Sequence, residues 1–169
     1  LDDPACGVRN LPFLSEEFLE ALRFTAAKAH ELGLRFDLTL GSGWPYGGPS
    51  VSAREAAGRL RCDRIPVGAG RRIPLPALST GEELISAVAV RAQGKDGPVE
   101  VVRELSGSVD GAVRLADGDT ANEVWFFISS RTGQLVKRAA VGAEGFVVNH
   151  YDRGAVESFL THMADPAMK

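Results

Sequence analysis

The sequence is short of cysteine, histidine and net charge, and each shortage argues against a class of protein. Among 169 residues there are two cysteines and three histidines, with no Cys-x-x-Cys motif and no histidines at metal-ligand spacing. Cys6 and Cys62 can pair, bind nothing or be buried, and this composition favours inert thiols over a metal or redox site. The formal net charge of −3 gives no indication of binding to nucleic acid or to an anionic membrane surface.

Long hydrophobic runs are also missing. No apolar run is long enough to cross a bilayer, and the first residues do not resemble a signal peptide. Hydrophobic residues still make up 44% of the chain, enough for the core of one domain or of one domain with a small insertion. The chain begins at Leu1 and ends at Met168-Lys169, just past a predicted helix, so we expect it to be a piece of a longer protein.

What the sequence does contain is an unusual loop at residues 41–49 (GSGWPYGGP), with four glycines, two prolines and two large aromatic residues. Glycine permits close approach of the backbone, and proline restricts its conformation. Trp44 and Tyr46 each offer a flat face and a polar edge, which suit a binding surface better than an apolar core. We therefore interpret the stretch as a binding loop. The alternative is a tight turn whose aromatic side chains close one end of the core.

The residues before this loop predict a helix followed by a strand. Ser15 is a typical N-cap for a helix that ends at Gly33. Residues 34–40 then alternate, with large apolar side chains on one side and polar ones, including Asp37, on the other. A helix that leads directly into a strand is typical of parallel βα units, so we expect Asp37 to line the interior of a barrel below the loop. The alternative is a half-exposed antiparallel strand with Asp37 in water.

After the loop, the S-x-x-E sequence from Ser52 to Glu55 is a capping box, which predicts a helix as far as about Arg61. Residues 63–144 have a different composition, with short runs rich in Val and Ile between turn clusters, and predict a small antiparallel β module. The predicted strands of this module are 85–92, 99–105, 112–115, 124–128 and 134–140, with a tight hairpin at 131–133.

The predicted α/β scaffold returns after the β module. Residues 146–148 form a short apolar strand, and Asp152 is a good N-cap for a second helix. The apolar residues at helical spacing in that helix are Val156, Phe159, Leu160 and Met163. The sequence therefore predicts three segments: a βα segment with the aromatic loop at 1–62, an inserted β-rich module at 63–144, and a returning βα segment at 145–169.

Two blocks of the sequence resemble a known enzyme family. Residues 32–60 (LGLRFDLTLGSGWPYGGPSVSAREAAGRL) and residues 131–160 (RTGQLVKRAAVGAEGFVVNHYDRGAVESFL) are similar, in the same order, to the α-L-rhamnosidases of glycoside hydrolase family 106. The most specific parts are GSGWPYGGP, and VKRAA followed by G-x-V-V-x-H-Y. The family also carries a β-rich segment between these blocks.

The resemblance implies a fold and an activity. The fold is α/β plus β, a fragment of a (β/α)8 TIM-type barrel with an inserted small antiparallel β module. On this resemblance we expect an enzyme that hydrolyses terminal α-L-rhamnosides of glycans by an inverting, calcium-assisted mechanism and that is secreted or periplasmic. Inversion needs two carboxylic groups about 6.5–9.5 Å apart. We expect both of them, and the rest of the barrel, to lie beyond Lys169, so that the isolated chain is inactive.

The resemblance also implies where the sugar is bound. We expect Trp44 to stack on a sugar face, and Tyr46, Asn149, His150 and Tyr151 to supply hydrogen bonds. The family often has Asp where this chain has Asn149, whose uncharged amide weakens any calcium site there.

Structural roles also explain several of these residues. His150 can equally be a strand-end histidine that satisfies a backbone carbonyl, and Asp152 is an N-cap rather than a ligand. Lys137 and Arg138 are most simply a solvated pair on the β module.

A second hypothesis is that the chain is a non-catalytic carbohydrate-binding or structural module that recognises its ligand through the β segment. That role requires exposed aromatic side chains in a groove, and the segment has few. Its alternation predicts Trp125 and Phe127 on one face of a strand and Phe126 on the other, with at least one face in the core.

Overall fold

A computed structural model describes residues 5–7, 9–94, 96–107 and 110–167. The first residues of the predicted segment 1–62 and the last residues of the predicted segment 145–169 therefore lie outside the described ranges. The chain divides into two compact units. Unit 1 contains the residues up to Ala57 and those from Thr132 onward, and unit 2 is Gly58–Arg131. In chain order the elements are α1 (Glu16–Glu31), β1 (Gly47–Gly48), β2 (Gly58–Pro66), β3 (Arg72–Pro74), β4 (Glu83–Ala92), β5 (Val99–Glu104), β6 (Ala112–Arg114), β7 (Glu123–Arg131), β8 (Phe146–Val147) and α2 (Arg153–Ala167).

Unit 2 is a small sandwich-like β domain. Its main sheet has the order β2-β7-β4-β5 with every pair antiparallel, and β3 and β6 form a second, two-stranded sheet. Along β7 alternate side chains point into the core, so that Val124, Phe126 and Ile128 are fully buried. Ile73 and Val113 from the smaller sheet belong to the same apolar cluster, which therefore lies between the two sheets.

Unit 1 contains both helices, and their predicted N-caps are confirmed. The side chain of Ser15 accepts a hydrogen bond from the Phe18 N–H at 3.2 Å, and the Oδ1 of Asp152 accepts one from the Ala155 N–H at 3.1 Å. Just beyond α1, Gly33 has a φ of +66°, a conformation that favours glycine. Neither helix, within the described ranges, is long and apolar enough to cross a membrane.

The core of unit 1 forms where α2 covers the loops on either side of β1 and β8. The residues buried together are Val51, Ala56, Val148, Ala155, Phe159 and Met163. Leu40 and Tyr46 are partly buried against this cluster. The aromatic loop is thus tied to α2 by apolar burial, which is the main favourable term in packing of this kind.

The backbones of β1 and β8 lie very close together, in a contact that we call the β1–β8 crossing. They pair antiparallel, with Gly47 opposite Val147 and Gly48 opposite Phe146. A Cβ at Gly47 would overlap the carbonyl oxygen of Phe146 and lie 2.8 Å from the Cα of Val147, closer than real side chains approach. The glycines of the aromatic loop therefore serve to bring two segments of backbone together.

The predicted barrel fragment is wrong. All strand pairs among the described residues are antiparallel and belong to small sheets, whereas a (β/α)8 barrel is built from parallel strands. Residues 34–40 were predicted to be a strand, but the structure assigns no strand to them and no described strand pairs with them. Asp37 consequently lies in solvent rather than in a barrel interior, and it forms an ion pair with Arg35 at 3.1 Å. The helix-to-strand junction was consistent with a parallel unit but did not require one.

Two further local predictions are wrong. The capping box of Ser52 and Glu55 does form, with the Glu55 carboxylate accepting from the Ser52 N–H at 3.0 Å and from its Oγ at 2.7 Å, and these hydrogen bonds lower the pKa of Glu55. It closes a single turn, because β2 begins at Gly58 and continues through Arg61. The expected hairpin at 131–133 is also missing, since β7 pairs with β2 and β4 instead.

One carboxylate in unit 2 accepts hydrogen bonds from three different residues. Glu82, whose side chain is 7% exposed, accepts hydrogen bonds from the Oγ of Ser130, from the Ser79 N–H at 2.8 Å and from Arg61 at 2.8 and 2.9 Å. The hydrogen bond from Ser130 and that from Ser79, with a smaller contribution from the charge of Arg61, hold the pKa of Glu82 below its ordinary value of 4.5.

This carboxylate makes the stability of unit 2 depend on pH. Because the pKa is lower in the folded state, the stabilisation is complete above pH 4.5 and is lost as the pH falls through the folded-state value. We expect Glu82→Gln to flatten this acid-side loss, measured as the urea midpoint from pH 7 to 3 by Trp125 fluorescence in a Trp44→Phe background. The matched control is Glu83→Gln, at an exposed neighbouring position, which should keep the wild-type profile. An unchanged profile for Glu82→Gln would contradict this account.

A methyl group added at the β1–β8 crossing should destabilise the packing of unit 1. Gly47→Ala places a Cβ against backbone that no side-chain rotation can relieve, and we expect it to cost about 2 kcal/mol or more. The readout is hydrogen-exchange protection of the Val148 amide, which donates to the Tyr46 carbonyl at 3.0 Å. Gly68→Ala, where a Cβ meets nothing within 4 Å, is the control, and equal protection in both variants would disprove the constraint.

Candidate functional site

Trp44 is presented to solvent on a backbone that is held in place. Its side chain is 66% exposed, although large aromatic side chains are usually at least half buried. Its N–H donates to the Lys137 carbonyl at 3.2 Å, and the Lys137 N–H donates to the Trp44 carbonyl at 3.0 Å. A Cβ at Gly43 would lie 2.6 Å from that Lys137 carbonyl, so the preceding residue must be small. The indole is therefore exposed to solvent, while the backbone that carries it is held by two hydrogen bonds.

Tyr46 supports Trp44 from the side. The two ring centroids are 5.3 Å apart with the planes at 69°, an edge-to-face arrangement that aromatic pairs favour. Tyr46 also packs on the core of unit 1, and its ring lies where a Cβ at Gly41 would come within 2.5 Å of it. The binding-loop interpretation and the core-closing alternative thus each describe one of the two aromatic residues: Trp44 is exposed and Tyr46 is part of the packing.

An open apolar cavity of about 270 Å³ lies beside Tyr46. Its lining residues are Leu40, Tyr46, Val148, His150, Val156, Phe159 and Leu160. Among these lining residues only Tyr46, with its hydroxyl, and His150, with its imidazole, have polar side chains. His150 is exposed to solvent. The structure therefore brings together two of the predicted site residues from blocks more than 100 positions apart, through the β1–β8 crossing.

The residues after β8 have mixed placements. The Asn149 N–H donates to the Glu55 carbonyl at 2.7 Å, and its side-chain oxygen accepts from the Tyr151 N–H at 3.2 Å. Tyr151 is fully exposed, with its whole side chain in solvent. Asp152 acts as the N-cap of α2, as its sequence position indicated. Asn149 and Tyr151 lie next to His150 in the chain but do not line the cavity.

Asp37 does not join this group. It is absent from the cavity lining, and its side chain is 75% exposed in the ion pair with Arg35. The predicted place of Asp37 below the loop required a barrel interior, and the structure has no such interior among the described residues. Asp37 contributes surface charge instead.

The calcium site that the resemblance implies stays a prediction. Calcium takes six to eight oxygen ligands, usually including several carboxylates. In the described part of the chain no group of three or more His, Cys, Asp or Glu side chains converges. The side-chain oxygen of Asn149 and the Oδ1 of Asp152 are each already bonded to a backbone N–H. No step of the chemistry is therefore assigned to calcium through these residues.

The β segment presents a less open aromatic surface. Phe126 is fully buried, while Trp125 and Phe127 are half-buried on the opposite face of β7, as the alternation predicted. The guanidinium of Arg64 lies 4.1 Å from the centre of the Trp125 ring, and the indole N–H donates to Glu123 at 2.7 Å. One face and the polar edge of Trp125 are thus already occupied by protein groups.

Sequence reasoning missed part of this site. Lys137 was interpreted as a solvated residue of the β module, yet its backbone holds Trp44 in unit 1. No local pattern signals this isolated bridge, since it joins residues 93 positions apart. Val156 and Leu160 were assigned to an apolar helical stripe, which was correct, but they line the cavity instead of being sealed in the core.

Comparisons of the chain with known protein families, with curated proteins and with solved structures find no match. The class of protein therefore has to be argued from the site itself.

The spacing of the aromatic pair can be tested through Gly41. An added methyl group at this position would meet the ring of Tyr46 at 2.5 Å and must displace it. We expect Gly41→Ala to reduce the near-UV circular dichroism of the Trp44–Tyr46 pair while the far-UV spectrum is kept. Gly70→Ala, in open space in unit 2, should change neither spectrum. An unchanged near-UV spectrum for Gly41→Ala would mean that the two rings are not held in contact.

Proposed function

We propose that this chain forms part of a glycoside hydrolase that resembles the α-L-rhamnosidases of family 106 and supplies contacts to the sugar. The observation that carries the proposal is the exposed, backbone-anchored indole of Trp44 beside a cavity lined by Tyr46 and His150. A terminal rhamnoside of a glycan is the substrate class. The two sequence blocks that suggested the family supply these three residues.

The chemistry of a pyranose matches this surface. The C–H-rich face of a sugar packs on an aromatic ring, and its hydroxyl groups need polar partners at the margin. Trp44 offers the ring, while the Tyr46 hydroxyl and the His150 imidazole offer donors and acceptors. Because the backbone of Trp44 is bonded on both sides to Lys137, little ordering is left to occur on binding. The neighbouring apolar cavity suits a C–H-rich part of the ligand.

The catalytic pair is not assigned to this site. Inverting hydrolysis requires a carboxylic acid at the leaving oxygen and a carboxylate that activates water, about 6.5–9.5 Å apart. The described lining of the cavity contains no carboxylate. The role proposed for this chain is therefore to bind and orient the sugar, and we expect the purified chain not to hydrolyse an aryl α-L-rhamnoside.

Calorimetric titration with L-rhamnose tests the proposal. We expect the chain to bind the sugar and Trp44→Ala to weaken binding about five- to tenfold, since stacking on an aromatic ring contributes about 1–1.5 kcal/mol. Phe24→Ala is the matched control, because Phe24 is 70% exposed in the same unit but is not part of the site. The titrations are run with and without calcium, and binding that needs calcium would show that a metal site forms which these residues alone do not provide.

Two results would contradict the proposal. Binding that is unchanged in Trp44→Ala would move the ligand to another surface and favour the carbohydrate-binding role of the β segment. A chain that is folded by circular dichroism but does not bind rhamnose at millimolar concentration would remove the support for a sugar contact on this chain.

A further inference from the structure

Residues 34–40 have the alternating sequence of a strand, but in the described part of the chain they form no strand and pair with none. At its start the Leu34 N–H donates to the Ala29 carbonyl of α1 at 2.8 Å, and at its end the Gly41 N–H closes a local turn on the Thr39 carbonyl at 2.9 Å. Between these two bonds the segment belongs to no helix or sheet of the described structure, and its residues from Leu34 to Thr39 are all exposed. Its alternating sequence suits an edge strand, which natural proteins usually pair, shorten or cover.

The apolar side of this segment is only partly covered. Leu34, Phe36 and Leu38 are 62%, 39% and 44% exposed, which is unusual for three large apolar side chains in one row. Phe36 lines an open cavity together with α1, through Phe18, Ala21, Leu22 and Thr25. The helix therefore backs Phe36 at the centre of the row. A second strand beside the segment would extend the same apolar surface.

The sequence of the segment is complementary to itself. In an antiparallel pair of two copies centred on Phe36, Phe36 faces Phe36 and Leu34 faces Leu38. In the same register Arg35 faces Asp37 of the other copy, and Asp37 faces its Arg35. Aromatic, aliphatic and opposite-charge pairs placed directly opposite one another all stabilise an antiparallel ladder. This register satisfies every position from 34 to 38 at once.

Other registers are worse. Centring on Arg35 places two arginines opposite each other, and centring on Asp37 places two aspartates opposite each other, which is destabilising. A slip by one residue puts polar side chains opposite the apolar row, because side chains alternate along a strand. Charge and alternation therefore select one register for self-pairing.

We propose that residues 34–38 pair antiparallel with the same residues of a second copy of this chain. The resulting two-stranded ribbon has Arg35 and Asp37 on one face and the apolar row on the other, with one α1 helix from each copy behind the row. A two-stranded sheet alone is marginal in water, and packing against helices is what makes such a ribbon stable. In a single copy Arg35 bonds its own Asp37 at 3.1 Å, an exposed pair that can exchange partners.

Charge reversal tests the register by sedimentation equilibrium of the purified chain. We expect a concentration-dependent dimer whose dissociation constant rises about tenfold or more in Arg35→Asp and in Asp37→Arg, since each reversal creates two like-charge pairs by symmetry. The double variant Arg35→Asp/Asp37→Arg restores both opposite-charge pairs and should return to within about threefold of the wild-type constant. The control reverses an exposed pair on α2, Arg153→Glu/Glu157→Arg, and should leave the constant unchanged.

Cross-linking provides a second test that does not depend on affinity. In a background of Cys6→Ser and Cys62→Ser, Phe36→Cys should form a disulfide-linked dimer on mild oxidation, because the two positions face each other across the symmetry axis. Leu34→Cys alone should not, since its partner is Leu38. A chain that is monomeric throughout, or a dimer that responds to neither charge reversal nor position, would overturn the proposal and leave this edge to a strand of a different polypeptide.

Discussion

Unit 1 depends on one close contact between backbones, the crossing of Gly47–Gly48 with Phe146–Val147. Side chains are excluded from it, since a Cβ at Gly47 would overlap the Phe146 carbonyl and one at Gly145 would lie 2.6 Å from the nitrogen of Pro49. The contact joins two segments about 100 residues apart and is covered by Phe159 and Met163 of α2. Because the two backbones are packed this closely, neither strand can shift along the other. The contact therefore fixes the positions of the residues that flank each strand.

The candidate site is a consequence of that crossing. Tyr46 directly precedes β1 and His150 closely follows β8, so an antiparallel pair of two-residue strands brings both to one cavity. The Lys137 bridge extends the same antiparallel arrangement to Trp44, whose indole is left in solvent. A large aromatic side chain costs free energy when exposed, and rigid exposed aromatic residues are typical of ligand contacts. The site is thus built from backbone hydrogen bonds, and Gly41 and Gly43 leave room for the Tyr46 ring and for the Lys137 carbonyl.

Sequence reasoning succeeded where the signal is local. The N-caps Ser15 and Asp152 act through hydrogen bonds within three residues, and the alternation along β7 follows from the geometry of a single strand. The sequence-based predictions failed where the pairing of strands had to be inferred.

The segment 34–40 has strand alternation, but nothing in its own residues distinguishes a parallel partner from an antiparallel one or from none. The capping box at Ser52 specifies one turn, and Gly58 then begins a strand, so a start signal was mistaken for a whole helix. The glycines of the aromatic loop were correctly expected to permit close approach, although what approaches is the chain itself.

The most direct measurement is the two-dimensional NMR spectrum of the indole N–H groups during titration with methyl α-L-rhamnoside. The chain has two tryptophans, one in each unit, so each hypothesis has its own resonance. The account predicts that the Trp44 indole shifts and saturates with the ligand, whereas the Trp125 indole, bonded to Glu123, stays in place. A shift of Trp125 with an unchanged Trp44 would contradict it and assign the ligand to the β segment.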